Sequence, residues 1–475
     1  MSKPTTYDNP LVSRYASAEM SHVWSPERKY RLWRQLWLAL AEAERDLGLA
    51  ITKKQLAEMR RHLDDINYAA ARRYERRLRH DVMAHVRAFG DQCPSARGII
   101  HLGATSCFVT DNSELIQMRE ALGLVQTGLV NVVDALAGFA RRHRSVPTLG
   151  FTHFQPAQLT TVGKRATLWL QDLVMDLGAL ESVLASLRFR GAKGATGTQA
   201  SFLGLFEGDA RKVLKLEQTV ARKMGFREVY PVTGQTYPRK VDSAVLAVVS
   251  GVAQSAQKFA TDLRLLAHLR EVEEPFGGKQ VGSSAMPYKR NPMRAERMTA
   301  LARFVIALSQ SAATTAAEQW LERTLDDSAN RRLTLPQAFL AVDGILRLYQ
   351  NVAEGLVVNR EVIGEHVRRE LPFIACERVL MEAVRAGGDR QELHEKLRQH
   401  AHAALAEVKA GRPNDLFDRL GADPAISGVA LKGLLDPRRH VGLAAEQTQA
   451  FLRDFVTPAR RRHRRSLGRR VELEV

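Results

Sequence analysis

Between Asn112 and Arg144 the chain places apolar residues at Leu115, Met118, Leu122, Val125, Leu129, Val132, Leu136 and Phe139. The spacings alternate between three and four, which draws one stripe along a helix. Asp111 and Asn112 stand ahead of the stripe and read as its cap. The pattern returns at Ala166, Leu170, Leu173, Leu177, Leu180, Leu184 and Leu187. A third stripe runs through Val245, Val248, Val249, Val252, Phe259, Leu263 and Leu266, with no proline between Pro238 and Pro275. Three helices well beyond the usual ~11–12 residues are therefore predicted. A narrow apolar seam of that length needs other helices against it, so the pattern predicts a bundle whose seams extend into an oligomer.

The segment Tyr30–Glu44 is rich in strong helix formers. After Leu356 the texture changes to shorter amphipathic segments broken by Gly387, Gly388, Pro413 and Pro437. Two-residue alternation is almost absent, so the predicted fold class is all-α. The expected organisation is a smaller N-terminal helical domain over 1–110, a central long-helix bundle over 111–357, and a C-terminal helical domain over 358–475 ending in a basic tail.

Composition changes this picture little. The 475 residues are 45% hydrophobic and 26% charged, ordinary values for a folded chain with a sizeable core. The first twenty residues lack an apolar signal-like stretch, and no unbroken apolar run reaches the ~18–20 residues of a bilayer crossing. Three cysteines, Cys93, Cys107 and Cys376, include no CxxC pair and read as reduced thiols of a cytoplasmic protein. The net charge of +18 suits anionic partners, but much of it is local. Ala459–Arg470 holds seven arginines and no acid, and reads first as a solvated tail. Nucleic-acid binding enters only through that tail, which has no interleaved aromatic residues for base stacking.

Four polar stretches interrupt the helical pattern. They are RHDVMAH (Arg79–His85) with HLGATS (His101–Ser106), GFTHFQPAQ (Gly150–Gln158), GSSAMPYKRNP (Gly282–Pro292) behind the lead GGKQV, and RTLDDSANRR (Arg323–Arg332). Lone histidines are usually structural, and His85, His101 and His143 are read so. His153, at the mouth of a long helix, is balanced between a structural role and an acid or base role. Neither metal-ligand spacing nor a dinucleotide or P-loop signature is present, so no metal and no cofactor are expected. Gly191–Phe202 is glycine-rich without fitting those patterns, and reads as a tight loop where backbone passes close to another chain or a ligand.

Together these stretches resemble the fumarase/aspartase superfamily of lyases. The superfamily's GSSxMPxKxNP loop is matched without a gap, and RHD at 79–81, GATS at 103–106, THFQPAQ at 152–158 and TLDDSANRR at 324–332 resemble its nucleotide-acting branch. The likeness runs from SRYAS at 13–17 to about Pro437 and leaves the basic tail outside. It implies a fumarase/aspartase-like helical fold and a homotetramer whose sites are shared between subunits. The implied reaction eliminates fumarate from a succinyl-amine nucleotide: adenylosuccinate, or the succinylated carboxamide ribotide of purine synthesis. Sister lyases acting on argininosuccinate, aspartate or malate are disfavoured by TLDDSANRR, because their substrates carry no phosphate.

The resemblance also implies roles. Ser283 is the base and His153 the acid. Lys289 and Asn291 hold the substrate carboxylate, although Lys289 alone reads equally as a surface ion pair. Arg14, Tyr15, Arg323, Ser328 and Arg332 surround the nucleotide, the last three toward its phosphate, where arginine's forked donors suit an anion. Arg79, His80, Asp81, Thr105, Ser106, Thr152, Gln235 and Arg297 line the rest, with His80 supporting the acid. Gly277, Gly278 and Gly282 imply a hinged lid over the substrate.

Overall fold

A computed structural model describes residues 5–473. The elements that position the site are α1 (Pro26–Asp46), α2 (Asp81–Gln92), α3 (Ser106–Arg142), β1 (Pro147–Thr152), β2 (Gln155–Thr161), α4 (Val162–Ser186), α5 (Lys240–His268), β3 (Val272–Glu273), α6 (Met293–Ala317), α7 (Asp326–Gly355), β4 (Val357–Val358) and α8 (Arg360–Arg385), joined by shorter helices and loops.

All eight residues of the first seam are buried, and so are Leu170, Leu173, Leu177, Val245, Val249, Val252, Phe259 and Leu263. Each such side chain contributes about 1.5–3 kcal/mol by leaving water. The seams close within the chain: α3 packs on α4 and α7, and α5 packs on α4, α6 and α7. Phe259 of α5 stacks on Tyr349 of α7 at 4.2 Å. What stays open is the opposite faces, with Leu168 and Met175 on α4, Leu265 on α5 and Phe304 on α6 exposed. The seams are thus largely used within the chain, and the exposed apolar residues lie on these other faces. By composition α3 is long and apolar enough to cross a bilayer, but 56% of its most apolar window is buried inside the protein.

α3, α5 and α7 begin at one end of the bundle. Buried Arg239, one residue before α5, pairs with Asp111 in α3 at 3.1 Å and Asp327 in α7 at 2.6 Å. The other end joins α3 to α4, where Gly163 presses so close to Ala140 O that a Cβ would lie 2.4 Å away. There β3, after α5, pairs antiparallel with β4, after α7.

Three sequence expectations need correction. α3 starts at Ser106 with Thr105 as its N-cap, so Asp111 and Asn112 lie inside the helix and cap nothing. Both are buried because they serve distant partners. Asp111 accepts the Tyr237 N–H at 2.9 Å as well as Arg239, and Asn112 Oδ1 accepts the N–H of Arg190 at 2.9 Å. Second, β1 and β2 form a hairpin where a polar loop was read. A bulge at Gly150 breaks the alternation, and a Cβ there would sit 2.7 Å from Gln158 O. Third, the basic tail is docked on the bundle rather than free, although five of its seven arginines stay exposed. Ala459 is buried, and arginines of the tail pair with Asp134, Glu181 and Glu19. The Gly191–Phe202 loop does make close approaches, but to its own chain: at Gly197 a Cβ would lie 1.8 Å from Thr233 O.

Beyond Leu356 the helices are longer than the sequence suggested. α8 runs 26 residues with Pro372 inside it, and it spans two cores. Ile363, Val367 and Leu371 belong to the main one, while Val379, Leu380 and Ala383 join Leu393, Leu397, Leu416 and Leu420 in a second.

One buried acid makes the fold pH-sensitive. Glu44 of α1 is fully buried, neither carboxyl oxygen has a hydrogen-bond partner among the described residues, and burial pushes its pKa up to about 8 from 4.5. A raised folded pKa means this residue's contribution is intact below pH 4.5 and is lost as pH climbs toward 8. Glu44→Gln, which carries no charge to bury, is expected to gain Tm relative to the parent as pH rises from 5 to 9 in differential scanning calorimetry.

Candidate active site

At the end where α3, α5 and α7 begin, their first turns and that of α2 surround a cavity of about 430 Å³. Helix N-termini present unpaired N–H groups and a partial positive charge, which favours an anionic occupant. Arg79, His80, Asp81, Ser106, Gln235, Arg323, Ser328 and Arg332, all expected site residues, line this one cavity. Thr105 is adjacent as the N-cap of α3.

Local structure fixes several of them. Arg79 ends a short helix in the left-handed conformation (φ 53°), which turns the chain so that His80 caps α2. His80 Nδ1 accepts the Met83 N–H at 3.3 Å, so its neutral ring carries the proton on Nε2, 3.4 Å from Ser106 Oγ. Asp81 pairs with Arg332 at 3.1 Å. Gln235 Nε2 donates to Ala195 O at 3.1 Å. Cys107 also lines the cavity, but burial pushes its thiol up to about 11, so it stays protonated.

A buried ionic floor supports these groups. Besides the Arg239 pairs, Arg331 binds Asp242 and Glu114 at 2.7 Å each, Tyr237 Oη donates to Asp242 at 2.6 Å, and Arg323 binds Asp327 at 2.7 Å. Sequence reasoning missed Lys29, Glu114, Arg239 and Arg331, which line the cavity. Arg331 sat inside a quoted motif, but nothing in a run of two arginines says which one is buried. Burial lowers the pKa of Lys29, partly offset by Glu114.

The other expected residues lie away from this cavity, those of the hairpin and of the loop before α6 toward the opposite end. Thr152 closes β1 opposite Gln155, and His153 with Phe154 forms the two-residue turn between the strands. Both turn residues have positive φ, 52° and 58°. Two-residue hairpins need that conformation, but glycine and asparagine normally supply it. A histidine and a phenylalanine there hold strain of about 1–2 kcal/mol each. His153 thus sits at an exposed hairpin tip, separated from α4 by β2, and not at the helix mouth.

Ser283 lies in the loop between β3 and α6. Its Oγ accepts two backbone N–H groups, from Ala285 at 3.3 Å and Met286 at 3.1 Å. Asn291 Nδ2 donates to Gly282 O at 2.7 Å, so this side chain closes the loop in the conformation described, while Lys289 is exposed. Buried Glu274 pins the loop's two ends together by accepting the N–H of Arg294 and Ala295. Gly282 is tightly packed, since a Cβ there would meet Lys289 O at 2.2 Å, whereas Gly278 has open space around it. Arg14, Tyr15 and Arg297 share a small separate cleft beside Gly344 of α7, with the Arg297 guanidinium 5.7 Å from the Tyr15 ring.

The two ends are far apart. α3 has 37 residues, about 55 Å at 1.5 Å per residue. A hairpin arm of about 20 Å folded straight back would still leave His153 some ~30 Å from the cavity. His85 and His101 stay out of both places. His85 stacks on Tyr30 at 3.8 Å and His101 accepts from Trp37 Nε1 at 2.9 Å, and burial lowers each to about 4.

Comparison with known proteins adds the following. Residues 26–307 match a family described as Lyase, and residues 372–451 match one described as Adenylosuccinate lyase C-terminus. The chain is 51% identical to the adenylosuccinate lyase of Schizosaccharomyces pombe over 460 residues, covering 96% of this chain and 95% of that protein. It is 51% identical to the Saccharomyces cerevisiae enzyme of the same name over 459 residues, 95% of each. Among solved structures it resembles 3-carboxy-cis,cis-muconate lactonizing enzyme from Pseudomonas putida, with a TM-score of 0.82 at 26% identity over 96% of this chain and all of that one. A fumarate lyase from Mesorhizobium sp. BNC1 shares the fold, with a TM-score of 0.80 at 24% identity over 94% of this chain and all of that one.

Proposed function

The chain belongs to the lyase family and, within it, to the adenylosuccinate lyases, and we propose that it eliminates fumarate from two succinylated purine precursors. These are adenylosuccinate, giving AMP, and succinyl-aminoimidazole carboxamide ribotide, giving the aminoimidazole carboxamide ribotide. Ser283, as its alkoxide, takes the proton from the carbon beside a substrate carboxylate. The electron pair moves into that carboxylate, held by Lys289, and returns to form the C=C bond as the C–N bond breaks. His153, as imidazolium, donates a proton to the departing nitrogen, and the two residues regain their starting protonation before the next turnover. The pair of N–H groups on Ser283 Oγ supports the base assignment, because hydrogen bonds to the oxygen favour its anion.

The observation that carries this reading is the cavity at the helix starts. Arg79, Arg323, Ser328 and Arg332 converge there on a space suited to a dianionic phosphate. A homotetramer is part of the reading. One ligand cannot bridge ~55 Å of α3, so the hairpin of one subunit must serve the cavity of another. The exposed Leu168, Met175, Leu265 and Phe304 supply apolar faces for such contacts. The reading also puts the protein in the cytoplasm, where its free thiols stay reduced.

Purified protein is expected to convert each precursor into its nucleotide and one equivalent of fumarate, followed by ultraviolet absorbance and chromatography. Turnover of argininosuccinate with neither purine precursor consumed would overturn the assignment.

A further inference from the structure

The basic segment has no part in the chemistry above, yet it is tied to the bundle along its length. After Leu452–Val456 the chain makes one short helix, Thr457–Arg462, with Val456 and Ala459 buried. Arg460 pairs with Asp134 of α3, and His463 Nε2 meets Glu181 of α4 at 2.6 Å. Next comes Asn131, a side chain 4% exposed in the middle of α3. Its Nδ2 donates to Ser466 O at 2.7 Å, and its Oδ1 accepts the N–H of Gly468 at 2.9 Å and of Arg469 at 3.2 Å. Gly468 has φ +82°, a turn that a residue with a Cβ adopts only under strain. Buried Gln350 of α7 donates to Arg469 O at 2.6 Å.

The segment then reaches the nucleotide-binding candidates. Arg347 of α7 donates from Nη2 to Glu472 O at 2.6 Å and from Nη1 to Tyr15 O at 3.2 Å. Arg469 pairs with Glu19 at 2.5 Å, four residues past Tyr15. Leu473 lines the same small cleft as Arg14, Tyr15 and Arg297. Arg14 and Tyr15 themselves sit in a five-residue helical turn, Leu11–Tyr15, too short to hold its own geometry.

We propose that residues 457–473 form a strap that positions Arg14 and Tyr15 for the nucleotide, with Asn131 as its buckle. This rests on the reading above that Arg14 and Tyr15 contact substrate. Arg347 is the link, since one guanidinium holds the strap's Glu472 carbonyl and the carbonyl of Tyr15 together. The strap is a positioning element, so losing it weakens substrate binding and leaves the proton transfers alone.

The test compares three forms of the full enzyme: a chain ending at Ser466, the full-length Asn131→Leu variant, and Arg14→Ala. Truncation and Asn131→Leu are each expected to raise KM for adenylosuccinate about tenfold, with kcat changed less than about twofold. A synthetic peptide spanning residues 464–475, added to the truncated enzyme, is expected to lower KM again. If Arg14→Ala raises KM while truncation and Asn131→Leu lower only Tm, the strap is merely structural and the proposal is overturned. If Arg14→Ala leaves KM unchanged, it is the nucleotide reading of Arg14 that is wrong. Should the truncated chain fail to fold, Asn131→Leu alone decides through the same split between KM and kcat.

Discussion

Ser283→Ala is expected to lower kcat by about 10³-fold, within the range of roughly 10²–10⁴ that a positioned acid or base contributes. AMP should bind the variant as it binds the parent, because nothing about the helix-start cavity changes. The physical reason lies in the loop. Two backbone N–H groups converge on this hydroxyl oxygen, and Asn291 closes the turn behind it through Gly282 O. Alanine keeps the turn and removes the proton acceptor. Ser284, its exposed neighbour, receives no hydrogen bond of this kind among the described residues, so Ser284→Ala serves as the control for general damage to the loop. Single-turnover kinetics with isothermal titration of AMP separates the two effects. Turnover of Ser283→Ala near the parental rate would remove this residue from the chemistry.

Mixing two inactive variants is expected to restore activity when their lesions lie at opposite ends of the bundle. His153→Gln disables the hairpin tip, and Arg332→Ala disables the cavity some ~30–55 Å away along α3. Neither homo-oligomer has an intact site. If each site combines the tip of one subunit with the cavity of another, random reassembly leaves about a quarter of the sites with neither lesion. Activity should therefore climb toward about 25% of the parental value after mild denaturation and refolding of an equal mixture, while each variant refolded alone stays inactive. No recovery in mixtures that elute as mixed oligomers would mean that both residues act from one chain.

The bundle was legible because helix periodicity is a local property that burial enforces over many turns. Every residue of the first stripe proved buried. Eight of the residues expected from the resemblance line one cavity, and all of them but Gln235 sit in polar runs that interrupt the stripes. The start of α3 was misread because Asp111 looks like a cap from sequence, while its carboxylate is claimed by Arg239, 128 residues later. The hairpin was missed because its turn carries histidine and phenylalanine where glycine or asparagine would have signalled it. The docking of the tail was not legible because the acids it pairs with, Asp134, Glu181 and Glu19, come from three distant parts of the chain. Lys29 and Glu114 gave no signal, since a charged residue on a helix reads as surface until a neighbouring helix covers it.

The length of α3 has a consequence of its own. If catalytic parts are carried at both tips of one rigid rod and meet only across subunits, the rod is a ruler for the assembly. One inserted residue anywhere in it would advance the far tip by 1.5 Å and swing it by about 100°. The isolated subunit could absorb that change by repacking, yet the shared centres would fall out of alignment together. On that reading surface loops could grow or shrink, while α3, the longest helix among the described residues, would be held to a fixed count by geometry that no single subunit contains.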